Sequence, residues 1–318
     1  MPPDVSSRPI LIFGVSQRSG TNLLAGLLSL HPMCGPPSDP VREAHLLHAA
    51  PSLLEYADRT ASRWPARWGD VAGARRDLVS SLGGGLLHFL SARSDAPRVV
   101  AKTPEGTHLA LAGELLGGSD ILLLVRDGRA VTESLVKGFR YSYGRAARRW
   151  RAGARSFLAV MARAEVLERS RDVRIRLVRY EDLVQHRDDA IASILRHCRL
   201  DADDFDWDAA RRFPVAGSSF LRDPLTGHMS WQPQEAPENF DPINRHANWG
   251  RGEYARFIYV AGLEQRALGY EVGPLRLSPT KRLRQYLLDA GTPLAVVRDQ
   301  VQRRLDWYTS NRVNRSKQ

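Results

Sequence analysis

PILIFGVSQRSGTNLLAGLLSLHP, residues 9–32, decides the fold. PILIFGV at 9–15 is a continuous apolar run bounded by a polar loop, the pattern of a strand covered on both faces. SQRSGT follows, and NLLAGLLSLH then sets Leu23, Leu24, Leu27, Leu28 and Leu30 at helical spacing until Pro32 stops the helix. A strand–loop–helix junction of this kind brings small residues to a helix N-terminus. Backbone N–H groups and the positive end of the helix dipole there favour an anion. The loop is P-loop-like, but it lacks the Gly-Lys-Ser/Thr of nucleotide-hydrolysing loops. Gly20 is followed directly by Thr21, and the cation is Arg18, two residues before Gly20.

The pattern repeats along the chain. RVVAK at 98–102, DILLLV at 120–125 and VRIRLVRY at 173–180 read as strands. Helices are expected through HLALAGELL, from about 129, over 145–170, and over DLVQHRDDAIASILRHC. Strands alternating with helices predict an α/β protein, a three-layer fold with a central parallel sheet and helices on both faces. Ligands on such sheets sit beyond the carboxyl ends of the strands. Residues 46–95 and 205–248 read as long loops, and 250–270 as a helix. The expected organisation is one domain over 1–275 and a basic helical tail over 276–318, with helices at about 279–290 and 293–307.

Composition narrows the class. The 318 residues are 43% hydrophobic and 25% charged, which excludes a collagen, a coiled coil and wholesale disorder. No apolar run reaches the roughly 18 residues of a membrane span, and the Ile10–Val15 run is too short for a signal-peptide core. Cys34 and Cys198 have no metal-site spacing and fit a reduced, cytoplasmic setting. Net charge is +11, nearly all of the basic charge from arginine. From residue 275 onward ten basic residues face three acidic ones.

A second anion site is expected after the strand at 120–125. In RDGRAVTES, Arg126 stands at the strand's end and Ser134 eight residues on, in the next helix. A guanidinium and a hydroxyl so spaced can clamp an anion from two sides. Two separate sites suit a ligand with phosphates at both ends of a nucleoside.

Taken in order, RSGTNLL, VRDGR…S and VRYEDLV at 178–184 resemble the sulfotransferases that use 3′-phosphoadenosine 5′-phosphosulfate (PAPS). The nearest group is the bacterial and tyrosylprotein type, which shares Arg-Ser-Gly-Thr followed by His-Pro, here His31-Pro32. AGLEQRALGY at 261–270 is similar to that group's C-terminal end, so the resemblance spans about residues 8–272. It implies that Arg18, Ser19, Gly20, Thr21 and Asn22 hold the 5′-phosphosulfate, and that Arg126 and Ser134 hold the 3′-phosphate. Tyr180 matches a tyrosine lining the nucleotide pocket. Asn22 stands where Thr or Ser is usual. Asn248 stands where the family has a basic residue before a late Trp, with Arg245 and Arg251 flanking Trp249.

Sulfuryl transfer resembles phosphoryl transfer: an acceptor oxygen attacks in line and the nucleotide phosphate leaves. It needs a base for the acceptor proton and a cation for the leaving oxygen. Lys102 is the expected cation, in a Lys-Thr-Pro context similar to the Lys-Asp-Pro of tyrosylprotein-type enzymes. Glu43 is the first candidate base, placed near the start of a helix. His45 is second, Asp39 third and His108 fourth. No metal is expected. The expected acceptor is a hydroxyl on a carbohydrate, a lipid-linked glycan, a natural product or a peptide tyrosine. No nucleic-acid partner is expected, and the tail's apolar stripe suits docking or a homodimer. The competing readings are a P-loop small-molecule kinase and a non-catalytic nucleotide- or nucleic-acid-binding protein.

Overall fold

The computed structural model describes residues 8–139, 141–214, 240–273, 278–280 and 283. Its centre is β1 (Ile10–Gly14), hydrogen-bonded in parallel to β3 (Arg98–Thr103) on one side and β4 (Asp120–Val125) on the other. β5 (Arg174–Arg179) lies outside β4, and β2 (Cys34–Gly35) outside β3, giving one parallel sheet in the order β2-β3-β1-β4-β5. The α/β architecture expected from the sequence is therefore present.

The central strands β1 and β4 read as apolar runs because both faces of the sheet are covered there, whereas the edge strand β5, with Arg174, Arg176 and Arg179, is only partly buried. Leu11, Phe13, Ala101, Leu123 and Val125 face one core. That core is closed by α2 (Ala50–Ala61), α3 (Val71–Ser91), α4 (Ala112–Leu115), α5 (Gly128–Phe139), α6 (Tyr143–Met161) and α11 (Arg251–Ala267). Ile10, Ile12, Val100, Leu122 and Leu124 face the other. There they meet α1 (Thr21–Leu28), α8 (Tyr180–Gln185), α9 (Arg187–Cys198) and α10 (Trp207–Arg211). α7 (Ala164–Arg171) leads into β5.

Several expectations need correction. The stretch 46–95 is not a loop; it holds α2 and the 21-residue α3. Three consecutive glycines, 83–85, argue locally against that helix. Tertiary packing overrides them: a Cβ on Gly83 would stand 1.8 Å from the Leu115 carbonyl oxygen, so the glycine lets α3 lie directly on α4. The helix expected over 145–170 breaks into α6 and α7, and the one over 182–198 into α8 and α9. HLALAGELL forms a 3₁₀ turn (Leu109–Leu111) and the single turn α4. Glu43 is not near a helix start; it lies in irregular chain, and α2 begins at Ala50. Apart from 278–280 and 283, the expected tail helices lie outside the described residues, as does most of 205–248. Among the described residues no helix is long and apolar enough to cross a membrane.

At the amino ends of the strands, away from the motifs, the fully buried Asp120 binds Arg8 at 2.9 Å, and Arg98 and Arg174 at 2.6 Å each. This cluster ties β4 to the chain preceding β1 and to the first residues of β3 and β5.

Candidate active site

The loop after β1 is shaped by its own hydrogen bonds. Ser19 Oγ donates to the Ser16 carbonyl at 2.6 Å and accepts from the Ser16 N–H at 3.1 Å. Arg18 and Gly20 take left-handed backbone conformations, φ 75° and 98°. Gly20 is required twice: by that φ, and because a Cβ there would meet the Tyr180 ring at 2.3 Å. Ser19 is buried, so it builds the loop and does not line the cleft.

A cleft of about 290 Å³ opens beyond the carboxyl ends of the strands. Its floor is Gln17, Arg18, Gly20, Thr21 and Asn22 from the loop and the first turn of α1. Arg126 and Ser134 come from the end of β4 and from α5, and Tyr180 from the start of α8. Phe139, Phe213, Pro214 and Phe240 supply apolar wall, and Glu43 and Pro104 a further edge. The cleft thus gathers all the expected cofactor-binding residues except Ser19.

The two anion sites read as separate in the sequence are joined. Arg18 Nε donates to Ser134 Oγ at 3.0 Å, and Arg126 donates to the Arg18 carbonyl at 2.7 Å. A second Arg126 N–H donates to the Pro242 carbonyl. The Arg126 guanidinium lies 4.2 Å from the centre of the Tyr180 ring. Its buried Nε has no hydrogen-bond partner among the described residues.

Arg245 is the cation that the sequence reading did not select. It reaches the cleft from residues 240–249, where Asp241 accepts from the Ile243 and Asn244 N–H groups at 2.8 and 3.0 Å. Burial, then Arg126 and Arg245, hold the Arg18 pKa down to about 10. Burial and Arg126 likewise lower Arg245. Three guanidiniums crowd one cleft, and their mutual repulsion is what an anion would relieve.

The proton-handling candidates meet at the edge. Lys102 Nζ is 3.4 Å from Glu43 Oε1, and His45 Nε2 is 3.2 Å from Glu43 Oε2. The Ala44 N–H bonds the Lys102 carbonyl at 2.9 Å, which pins the irregular 41–45 chain beside β3. Burial lowers the Lys102 pKa, against the pull of Glu43. Of the four candidate bases, Glu43 lines the cleft. His45 stands behind it, Asp39 is exposed in an ion pair with Arg42, and His108 is exposed.

The sequence model of the sulfotransferase family matches residues 9–204. The chain belongs to the sulfotransferase family. The matched segment carries every cleft residue named above except Phe213, Pro214, Phe240 and Arg245. This sulfotransferase therefore completes its cleft from chain beyond the matched segment. Among solved structures it is similar to the sulfotransferase domain of the Synechococcus PCC 7002 olefin synthase: 19% identity, 86% of this chain and 99% of that one, TM-score 0.49. It is similar to the sulfotransferase domain of the curacin biosynthetic pathway at 19% identity, 89% and 98% coverage and TM-score 0.41. With the sulfotransferase STF9 from Mycobacterium avium it shares 15% identity over 84% of this chain and 78% of that one, TM-score 0.43. No curated protein sequence matches it.

Proposed function

We propose that this sulfotransferase uses PAPS as donor and a hydroxyl of a small molecule, glycan or lipid-linked compound as acceptor. The observation that carries the reading is the convergence of Arg18, Arg126, Arg245 and the start of α1 on one cleft, with the Glu43–Lys102 pair at its edge. The donor set fits a polyanion. Guanidiniums match phosphate oxygens bidentately, the Ser134 hydroxyl and backbone amides add neutral donors, and the buried Arg126 Nε–H, without a partner among the described residues, can donate to a further oxygen.

When bound, PAPS supplies the sulfuryl group that passes to the acceptor oxygen. The chain's own residues do the rest. Arg126, Ser134 and Arg245 hold one phosphate, and Arg18 with the amides of Gly20, Thr21 and Asn22 holds the other end. Glu43 takes the acceptor proton. His45, hydrogen-bonded to the second carboxylate oxygen, orients it. Lys102 sets a positive charge where negative charge develops on the departing oxygen.

Thermal shift with adenosine 3′,5′-bisphosphate, compared with ATP and Mg²⁺, tests the donor class. Stabilisation by the bisphosphate alone is expected, and stabilisation only by Mg-ATP overturns the reading. Glu43→Gln and His45→Ala, compared in turnover, test the base. Glu43→Gln is expected to lose far more, and near-normal turnover in Glu43→Gln removes it from that role.

A further inference from the structure

Glu133 neighbours Ser134 on α5, yet it does not line the cleft. It is 4% exposed and makes three side-chain contacts, two of them to groups outside α5. Its Oε2 accepts from Tyr143, at the first residue of α6, at 2.9 Å, and from Trp249 Nε1 at 2.8 Å. Its Oε1 pairs with Lys137, one turn on, at 2.7 Å. Burying a carboxylate is costly unless it is fully hydrogen-bonded, so a carboxylate so bound acts as a fixed anchor.

What it anchors is the strap 240–249. The strap's N-terminal part is held by Arg126 through the Pro242 carbonyl. Its C-terminal part is held by Trp249 on Glu133, and the Trp249 ring also packs edge-on to Tyr143 at 5.7 Å and His246 at 5.8 Å. Between these fixed points stands Arg245, directed into the cleft beside Arg126. Glu133 also offsets electrostatically the lowering that burial and Arg126 impose on Arg245.

We propose that Glu133 is a positioning residue: through Trp249 and Tyr143 it sets the strap so that the Arg245 guanidinium meets the anion held by Arg126. This rests on the reading of Arg126 and Arg245 as phosphate-holding groups. The strap's cation is thus placed by a buried hydrogen-bond anchor outside the cleft, and a shift of the indole moves the guanidinium.

The test is a double-mutant cycle read as affinity for adenosine 3′,5′-bisphosphate by calorimetry on the full chain. Trp249→Phe keeps an aromatic ring at the site but removes the N–H donor together with the five-membered part of the indole. It is expected to weaken binding about fivefold to tenfold, the scale of one buried hydrogen bond, and less than about twofold in an Arg245→Ala background. Glu133→Leu is expected to behave as Trp249→Phe does. Glu133→Gln, whose amide oxygen still accepts from Trp249 and Tyr143, is expected to stay near wild type. A merely structural role would weaken binding equally in both backgrounds, and that result overturns the proposal. So does wild-type affinity in Trp249→Phe, which carries the test alone if Glu133→Leu does not fold. Wild-type affinity in Arg245→Ala overturns the phosphate-holding role of Arg245 itself and the proposal with it. A loss in Arg245→Ala with an additive cycle overturns only the positioning.

Discussion

Replacing Arg126 by alanine gives the sharpest separation between holding the ligand and holding the fold. Two of the guanidinium's N–H groups are spent on the Arg18 and Pro242 carbonyls, and the buried Nε remains for an anion. A hydrogen bond to a charged group is worth about 1.5–3 kcal/mol. Its loss should weaken adenosine 3′,5′-bisphosphate binding by roughly 10- to 150-fold, at about 1.4 kcal/mol per tenfold. The fold should lose much less. The two carbonyl bonds go, but so does a cation that lowers the pKa of both Arg18 and Arg245. Relief of that repulsion offsets the lost bonds, and the unliganded protein should stay within about 2 kcal/mol of wild type. Calorimetry with the bisphosphate and with AMP at fixed salt, beside thermal unfolding without ligand, measures both sides. The preference for the bisphosphate over AMP should shrink in the variant. Wild-type affinity for the bisphosphate in Arg126→Ala would refute the assignment, whatever happened to stability.

Other outcomes follow from the same geometry. Lys102→Ala should lower kcat far more than bisphosphate affinity, because the charge it meets develops only in the transition state. Lys102 acts as the cation, so activity should fall as pH rises through a pKa that burial holds below the ordinary lysine value of 10.5. Lys102→Arg should move that alkaline limb upward in a kcat/KM profile, and an unmoved limb assigns it to another group. Gly20→Ala forces a left-handed alanine, costing about 1–2 kcal/mol, and drives a Cβ into the Tyr180 ring. It should abolish bisphosphate binding in a chain that still folds by circular dichroism, and retained binding would show that the loop can rearrange. Asp120→Asn leaves the buried Arg98 with no charged partner among the described residues and should cost about 3–5 kcal/mol in urea unfolding. The folded fraction should bind the bisphosphate within a few-fold of wild type, since Asp120 lies at the far ends of the strands; a loss under 1 kcal/mol would show that the cluster is not a clamp.

Much of the fold was legible because its signals are local. β1, β3 and β4 are largely apolar runs of five or six residues and β5 alternates in part, and such patterns are readable without knowing what covers them. Handedness and the parallel sheet then put Arg18–Asn22, Arg126, Ser134 and Tyr180 at one rim, because each follows a strand's carboxyl end. α3 was not legible, since its glycines oppose a helix locally and make sense only against the Leu115 carbonyl. β2, two residues long, exists only by pairing with β3.

The sequence by itself determined the strand–loop–helix motif and the alternation of strands and helices that makes the sheet parallel; the order of the strands within it came from the structure. Only the tertiary structure decided that Glu43 stands between Lys102 and His45 in chain with no regular structure to announce it. It also decided that Arg245 joins Arg126 from a strap whose Pro242 lies 116 residues away in sequence. The physical reason is the range of the forces concerned. Hydrophobic periodicity and turn chemistry act within a few residues. Burial of a cation beside distant cations, and its anchoring through a Trp249–Glu133 bond, exist only once the core has brought those segments together.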